Sequence, residues 1–156
     1  AIAEGHGNEV YDSVIAPKFS EYMGTAFEPI CLDHVRQFGK ESMGSSAQKV
    51  GQIWGADYDI DVAGLLLNGT FFYGECKWRS TRIDLGMVET LKRRADLTAY
   101  GKGHPGKQFI FFSRNGFKPE VEHLPQSDAS IHLIGPEELA YYPSARPMPV
   151  PSGHKP

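Results

Sequence analysis

Long apolar runs are missing from this chain of 156 residues. No stretch approaches the roughly 18 residues of a membrane-spanning helix, and the N-terminus lacks a signal peptide's charged-then-apolar pattern. The expectation is a cytoplasmic protein with no membrane partner. Cysteine is scarce: Cys31 and Cys76 lie far apart, without metal-ligand spacing. That argues against a disulfide scaffold and for two buried, reduced thiols. The histidines (His6, His34, His104, His123, His132, His154) show no ligand spacing either. An excess of positive charge is also absent. The formal net charge is -3, so any nucleic-acid surface must be local. No internal repeat is visible. "GKGHPGK" (101–107) is glycine-rich, but it lacks phosphate-loop spacing and follows a helix, so it reads as a loop.

What is present is ordinary in amount: 40% hydrophobic and 22% charged residues, enough for one domain with one sizeable core. The first residue is alanine, as expected of a processed chain or a piece of a longer one. Residues 1–142 are expected to form the domain. Residues 143–156, with five prolines, are expected to be an extended or disordered tail.

Apolar spacing predicts helix from Val10 to Phe38, broken near Met23-Gly24-Thr25 into a short helix and a longer one. Val50–Trp54 reads as a short strand, and Gly39–Gln48 as a polar connector. Tyr58–Leu67 and Thr70–Trp78 flank Asn68-Gly69, the strongest hairpin signal in the chain. Asp84–Ala99 is helical, with Leu85, Val88, Leu91 and Ala95 on one stripe. Phe109–Ser113 is a buried strand, Lys118–Leu124 a helix, Ile131–Ile134 a strand and Glu137–Tyr142 a last helical turn. The order implies an α/β fold: a mixed central sheet flanked by helices in three layers.

Charge sits oddly in this pattern. Glu75 and Lys77 interrupt an apolar strand, "FFYGECKW". Burying either charge alone costs several kcal/mol, roughly, unless a partner or metal compensates. Asp59 and Asp61 lie on the other arm of the hairpin. A two-residue turn would set Asp61 against Cys76. A three-residue loop with Gly69 in the left-handed position, or an equivalent bulge, would set Asp61 against Glu75. The second register is expected. Carboxylates only about 5 Å apart across a strand pair repel, and a divalent cation between them reverses the sign. Hard oxygen ligands suit Mg²⁺, with Mn²⁺ as a substitute, and the Cys76 carbonyl is a further candidate ligand. A metal-activated water beside Lys77 is a phosphodiester-cleaving arrangement.

"DID" (59–61) followed by "ECK" (75–77) resembles the Asp…Glu-X-Lys signature of the restriction-endonuclease-like superfamily. The resemblance implies that Asp61 and Glu75 bind metal and Lys77 assists catalysis. It also implies a supporting glutamate from the preceding helix, at Glu28 in "GTAFEPICLDHV". The blocks "YMGTAFEPIC", "DIDVAG", "FYGECKW", "FIFFSRNGFKPEVEH" and "IHLIGPEEL" are similar to the nuclease-like C-terminal domain of a family of archaeal and bacterial AAA-type ATPases. That implies DNA as a partner and an ATPase domain or subunit as another.

Blander roles exist for each residue. Glu28 stands in capping-box spacing from Thr25. Asp59 suits the rim, or an ion pair with Lys77. Arg79, Arg82, Lys92, Arg93 and Arg94, counted with Lys77 against Asp84 and Glu89, leave a local charge of +4 over 77–94. That surface contacts either nucleic-acid phosphates or only water. Trp78, Phe111 and Phe112 read as core. Two alternatives to a DNA-cleaving domain stay open. One is a junction-resolving nuclease working as a homodimer. The other is a non-catalytic nucleic-acid-binding or assembly module of a larger ATPase.

Overall fold

A computed structural model describes residues 16–139, with side chains from residue 26 onward. The sequence expectations for residues 1–15 and for the proline-rich tail therefore lie outside the described residues. A long helix, α1 (Ala16–Met43), precedes strands β1 (Ala47–Trp54), β2 (Asp59–Leu66) and β3 (Phe71–Lys77). Helix α2 (Leu85–Leu97) leads to β4 (Lys107–Ser113). Two single-turn helices, α3 (Pro119–Glu122) and α4 (Leu124–Ser127), lead to β5 (Ile131–Ile134). Among the described residues, no helix is long and apolar enough to cross a membrane.

The five strands lie in sequence order in one mixed sheet. β1, β2 and β3 are antiparallel neighbours, while β4 and β5 run parallel to β3. The parallel step from β3 to β4 needs a crossover, and α2 supplies it. Strand alternation then divides the core. Phe72 and Ile110 face α1 and its Phe27, Cys31 and Val35. Tyr73, Phe109 and Phe111 face α2 and its Val88, Leu91 and Ala95. β3 and β4 are buried on both faces, which explains their continuous apolar runs. Phe111 and Phe112 are wholly inside.

Two expectations are corrected here. Gly24 and Thr25 do not break the helix: α1 runs through them to Met43, and its one non-helical backbone is at Phe38. Packing of the Phe27–Val35 face on the sheet outweighs the weak local preference of glycine. Thr25 is then no N-cap, so Glu28 is not a capping-box residue. The connector is also shorter than expected, because helix extends to Met43 and β1 begins at Ala47.

The hairpin has the three-residue loop. The Leu66 N–H donates to the Thr70 carbonyl at 2.8 Å, and Gly69 takes φ +90°. The Asn68 side chain accepts from the Thr70 N–H at 3.0 Å. Leu65 pairs with Phe71, and the ladder runs to Val62 against Gly74.

Candidate active site

The ladder between β2 and β3 stops at Val62 and Gly74, although β3 continues to Lys77. On the other side of β2, the register with β1 slips between Gly51–Ala63 and Ile53–Ile60. β2 thus spends three steps where β1 spends two, a bulge spanning Asp61 and Val62. Bulge and divergence open the sheet at this end. The Asp61 carboxylate fills the gap: its Oδ2 accepts the Cys76 N–H at 3.0 Å. One further ladder step would set Asp61 against Glu75, the register expected from the loop.

Glu75 and Lys77 project to the α2 side. They open into a cleft of about 390 Å³ whose other walls include Asp84, Thr90 and Arg94. Asp84 is the N-cap of α2, its Oδ1 accepting the Met87 N–H at 3.0 Å. Arg94 donates from Nη1 to the Asp59 carbonyl at 3.1 Å. Glu28 approaches from α1, and its Oε1 accepts the Gln52 amide at 2.9 Å.

Electrostatically, the carboxylates are crowded and partly buried. Burial pushes Asp61 up to about 6, against the pull of the Cys76 N–H, with the Glu28 charge adding to the rise. Burial and then the Asp61 charge push Glu75 up to about 7, with Lys77 and Arg94 opposing. Arg94 favours the ionised form of both carboxylates. Arg94→Ala should therefore move the acid limb of any carboxylate-dependent activity to higher pH. A rate profile between pH 5 and 9 checks this, and an unshifted limb would remove Arg94 from the site's electrostatics.

Do these groups fit a divalent cation? Among the described residues, no three His, Cys, Asp or Glu side chains cluster closely enough to form a cage. Mg²⁺ does not need one, since it commonly takes one or two carboxylates and keeps waters for the rest. Two carboxylates with raised pKa values side by side are a frustrated pair that a cation relieves. Asp61 and Glu75 fit that demand, and the Cys76 carbonyl lies between Glu75 and Lys77 in the chain. The Cys76 side chain turns to the other face, packed in the α1 core. Burial and a hydrogen bond with the Cys31 thiol push its pKa well up. Both thiols are free.

The basic residues do not form one patch. Successive helical positions are about 100° apart, so Lys92, Arg93 and Arg94 diverge. Lys92 pairs with Asp128 at 3.1 Å, away from the carboxylates, while Arg93 points to solvent and Arg94 enters the cleft. Arg79 and Arg82 are exposed beyond β3. Asp59 is exposed, and its backbone carbonyl, not its carboxylate, holds Arg94.

Gln52 and Arg114 escaped the sequence reading. The Arg114 guanidinium lies 4.7 Å from the centre of the Trp78 ring, and the Arg114 backbone N–H donates to the Lys77 carbonyl at 3.0 Å. Trp78 also packs on Phe27, as core, and its indole N–H is buried without a protein partner. No local signal marks Gln52, whose partner is 24 positions away. For Arg114, the end of the strand parallel to β3 is the one available clue.

Residues 1–92 match the model of the DUF234 family, described as archaeal and bacterial proteins of unknown function. The chain belongs to that family. No curated protein matches this DUF234 chain. Among solved structures, it is similar to the MspJI restriction endonuclease in complex with a 27-mer oligonucleotide, with a TM-score of 0.57 and 19% identity. The match covers 88% of this chain and 31% of that one, so the likeness spans about a third of the neighbour's length. At that identity the likeness establishes the fold, which is restriction-endonuclease-like, with a mixed five-stranded sheet flanked by helices. A link to an ATPase does not emerge from these matches.

Proposed function

We propose that this chain is a metal-dependent nuclease domain that hydrolyses phosphodiester bonds in DNA. The observation that carries the reading is the bulged opening at Asp61, which brings that carboxylate to the Cys76 N–H beside Glu75 and Lys77. The restriction-endonuclease-like fold supports it.

Asp61, Glu75 and the Cys76 carbonyl would hold Mg²⁺, which when bound supplies an acidified water and neutralises charge on the phosphate oxygens. Lys77, in the cleft wall, offers a positive charge to orient the attacking water and to stabilise the crowded phosphorus. Glu28, fixed by Gln52, adds negative charge beside Asp61 and is the supporting carboxylate. Arg94 holds the Asp59 strand end and offsets the repulsion between carboxylates. Arg79, Arg82 and Arg114 line the exit of β3 and β4 and suit phosphate contacts, which position DNA without reading sequence.

The test is cleavage of plasmid DNA in Mg²⁺ by the parent, Lys77→Ala and Asp61→Ala. The expected result is nicking or linearisation by the parent, with both variants reduced by about a hundredfold or more. Equal activity in all three would sink the assignment.

A further inference from the structure

Arg94 stands on α2 between Leu91 and Ala95, both buried against the sheet. Close packing there fixes the backbone from which its side chain leaves. Gly86, Thr90 and Arg94 recur every four residues, so one stripe of the helix walls the cleft that holds Glu75 and Lys77. Lys77 and Arg94 are the two cations of that wall.

An ion pair would be the direct way for Arg94 to relieve the crowded carboxylates. No such pair forms. Among the described residues, the Arg94 side chain binds the Asp59 backbone carbonyl, at 3.1 Å, and neither Arg94 nor Lys77 has a carboxylate partner. A neutral carbonyl engages one corner of the guanidinium fork and leaves the other donors to the cleft. The tether thus holds the plane in place without neutralising its charge. Of the cleft's carboxylates, Asp84 is occupied at the helix N-terminus. The wall therefore keeps two unpaired cations beside Glu75, an arrangement suited to an anion entering the cleft of about 390 Å³.

We propose that Arg94 is a further catalytic residue, its guanidinium gripping the non-bridging oxygens of the scissile phosphate together with Lys77. This rests on the nuclease reading above and adds to it a second cation that touches the reacting group. In the hydrolysis a water oxygen bonds to phosphorus and one P–O ester bond breaks. One water proton ends on the departing hydroxyl, and the other is left to the new phosphate monoester and solvent. A planar fork meets two oxygens of one phosphate at once, whereas an ammonium offers a point charge. A cation already fixed in place stabilises the crowded phosphorus without reorganising during the reaction.

Single-turnover cleavage of plasmid DNA in Mg²⁺, at saturating protein and at pH 9 to stay above the acid limb, tests this. Duplex affinity is measured beside it in Ca²⁺. The variants are Arg94→Ala, Arg94→Lys and Arg93→Ala, the last removing equal charge from an exposed neighbour. Arg94→Ala should slow the turnover about a hundredfold or more, with affinity within about threefold of the parent. Arg94→Lys keeps the charge and should recover no more than about a tenth of the parent's rate. It can still donate to the Asp59 carbonyl, so it decides the matter if the alanine variant folds poorly. Arg93→Ala should match the parent in rate. Parent-like turnover in Arg94→Lys would overturn the proposal, since charge alone would then suffice. Equal rates in Arg94→Ala and Arg93→Ala, or weakened affinity with no loss of rate at saturation, would overturn it too. Each of these outcomes leaves the nuclease reading standing, because the parent cleaves. Absence of cleavage by the parent overturns the nuclease reading and the catalytic role with it.

Discussion

Asp61→Asn and Glu75→Gln are expected to lose cleavage about a hundredfold or more while making the metal-free protein more stable at pH 8. The two effects have one cause. Both carboxyls have folded-state pKa values raised by burial, from 3.8 to about 6 for Asp61 and from 4.5 to about 7 for Glu75. The folded state therefore binds these protons more tightly than the unfolded one. Stability is greatest below pH 4 as far as these groups are concerned. It falls as pH rises and levels off only above the folded values, near pH 7. At pH 8 each ionised carboxylate costs the fold on the order of 1–3 kcal/mol, and an amide of the same shape carries no such cost. Urea midpoints in EDTA at pH 5 and pH 8 read this directly. The variants should gain on the parent at pH 8 and keep only part of that gain at pH 5, about half for Asp61→Asn and less for Glu75→Gln. A parent more stable at pH 8 than at pH 5, with variants parallel to it, would mean that the carboxylates are well solvated. That outcome would remove the reason for a cation there. Mn²⁺ should raise the parent's midpoint at pH 8 and leave the double variant unmoved.

Gly64→Ala is expected to cost more than about 3 kcal/mol, enough to threaten folding. A Cβ at Gly64 would lie 1.9 Å from the Lys49 carbonyl oxygen and 2.5 Å from the Phe72 ring. Neither neighbour can yield cheaply. Lys49 O is backbone of the paired strand β1, beside a register shift, and Phe72 is wholly buried against α1. Gly51→Ala is the control, since its Cβ would meet nothing within 4 Å. That variant should shift the urea midpoint by the equivalent of less than about 1 kcal/mol. If the two substitutions cost the same, the close approach of β1 to β2 that precedes the bulge at Asp61 is wrong.

Several features of the fold were readable from local chemistry. The hairpin could be placed because Asn68-Gly69 interrupts two apolar strands, and glycine accepts the left-handed backbone that the loop requires. Its three-residue form then set the pairing register, and with it the relation of Asp61 to Glu75. Phe109–Ser113 was readable as a buried strand because aromatic and β-branched residues run from Phe109 to Phe112 without a break. The length of α1 was not readable. Gly24-Thr25 looks like a stop, and only packing on the sheet carries helix through it.

By itself, then, the sequence determined the alternation of strands and helices, the loop at Leu67–Gly69 and the spacing that relates Asp61 to Glu75 and Lys77. These are consequences of backbone preference and side-chain period, which act over a few residues. Tertiary structure alone decided the bulge that opens the sheet at Asp61, and which of Lys92, Arg93 and Arg94 enters the cleft. It also decided the Gln52 amide on Glu28. Each of these depends on which distant segment arrives beside the residue, and no local period encodes that.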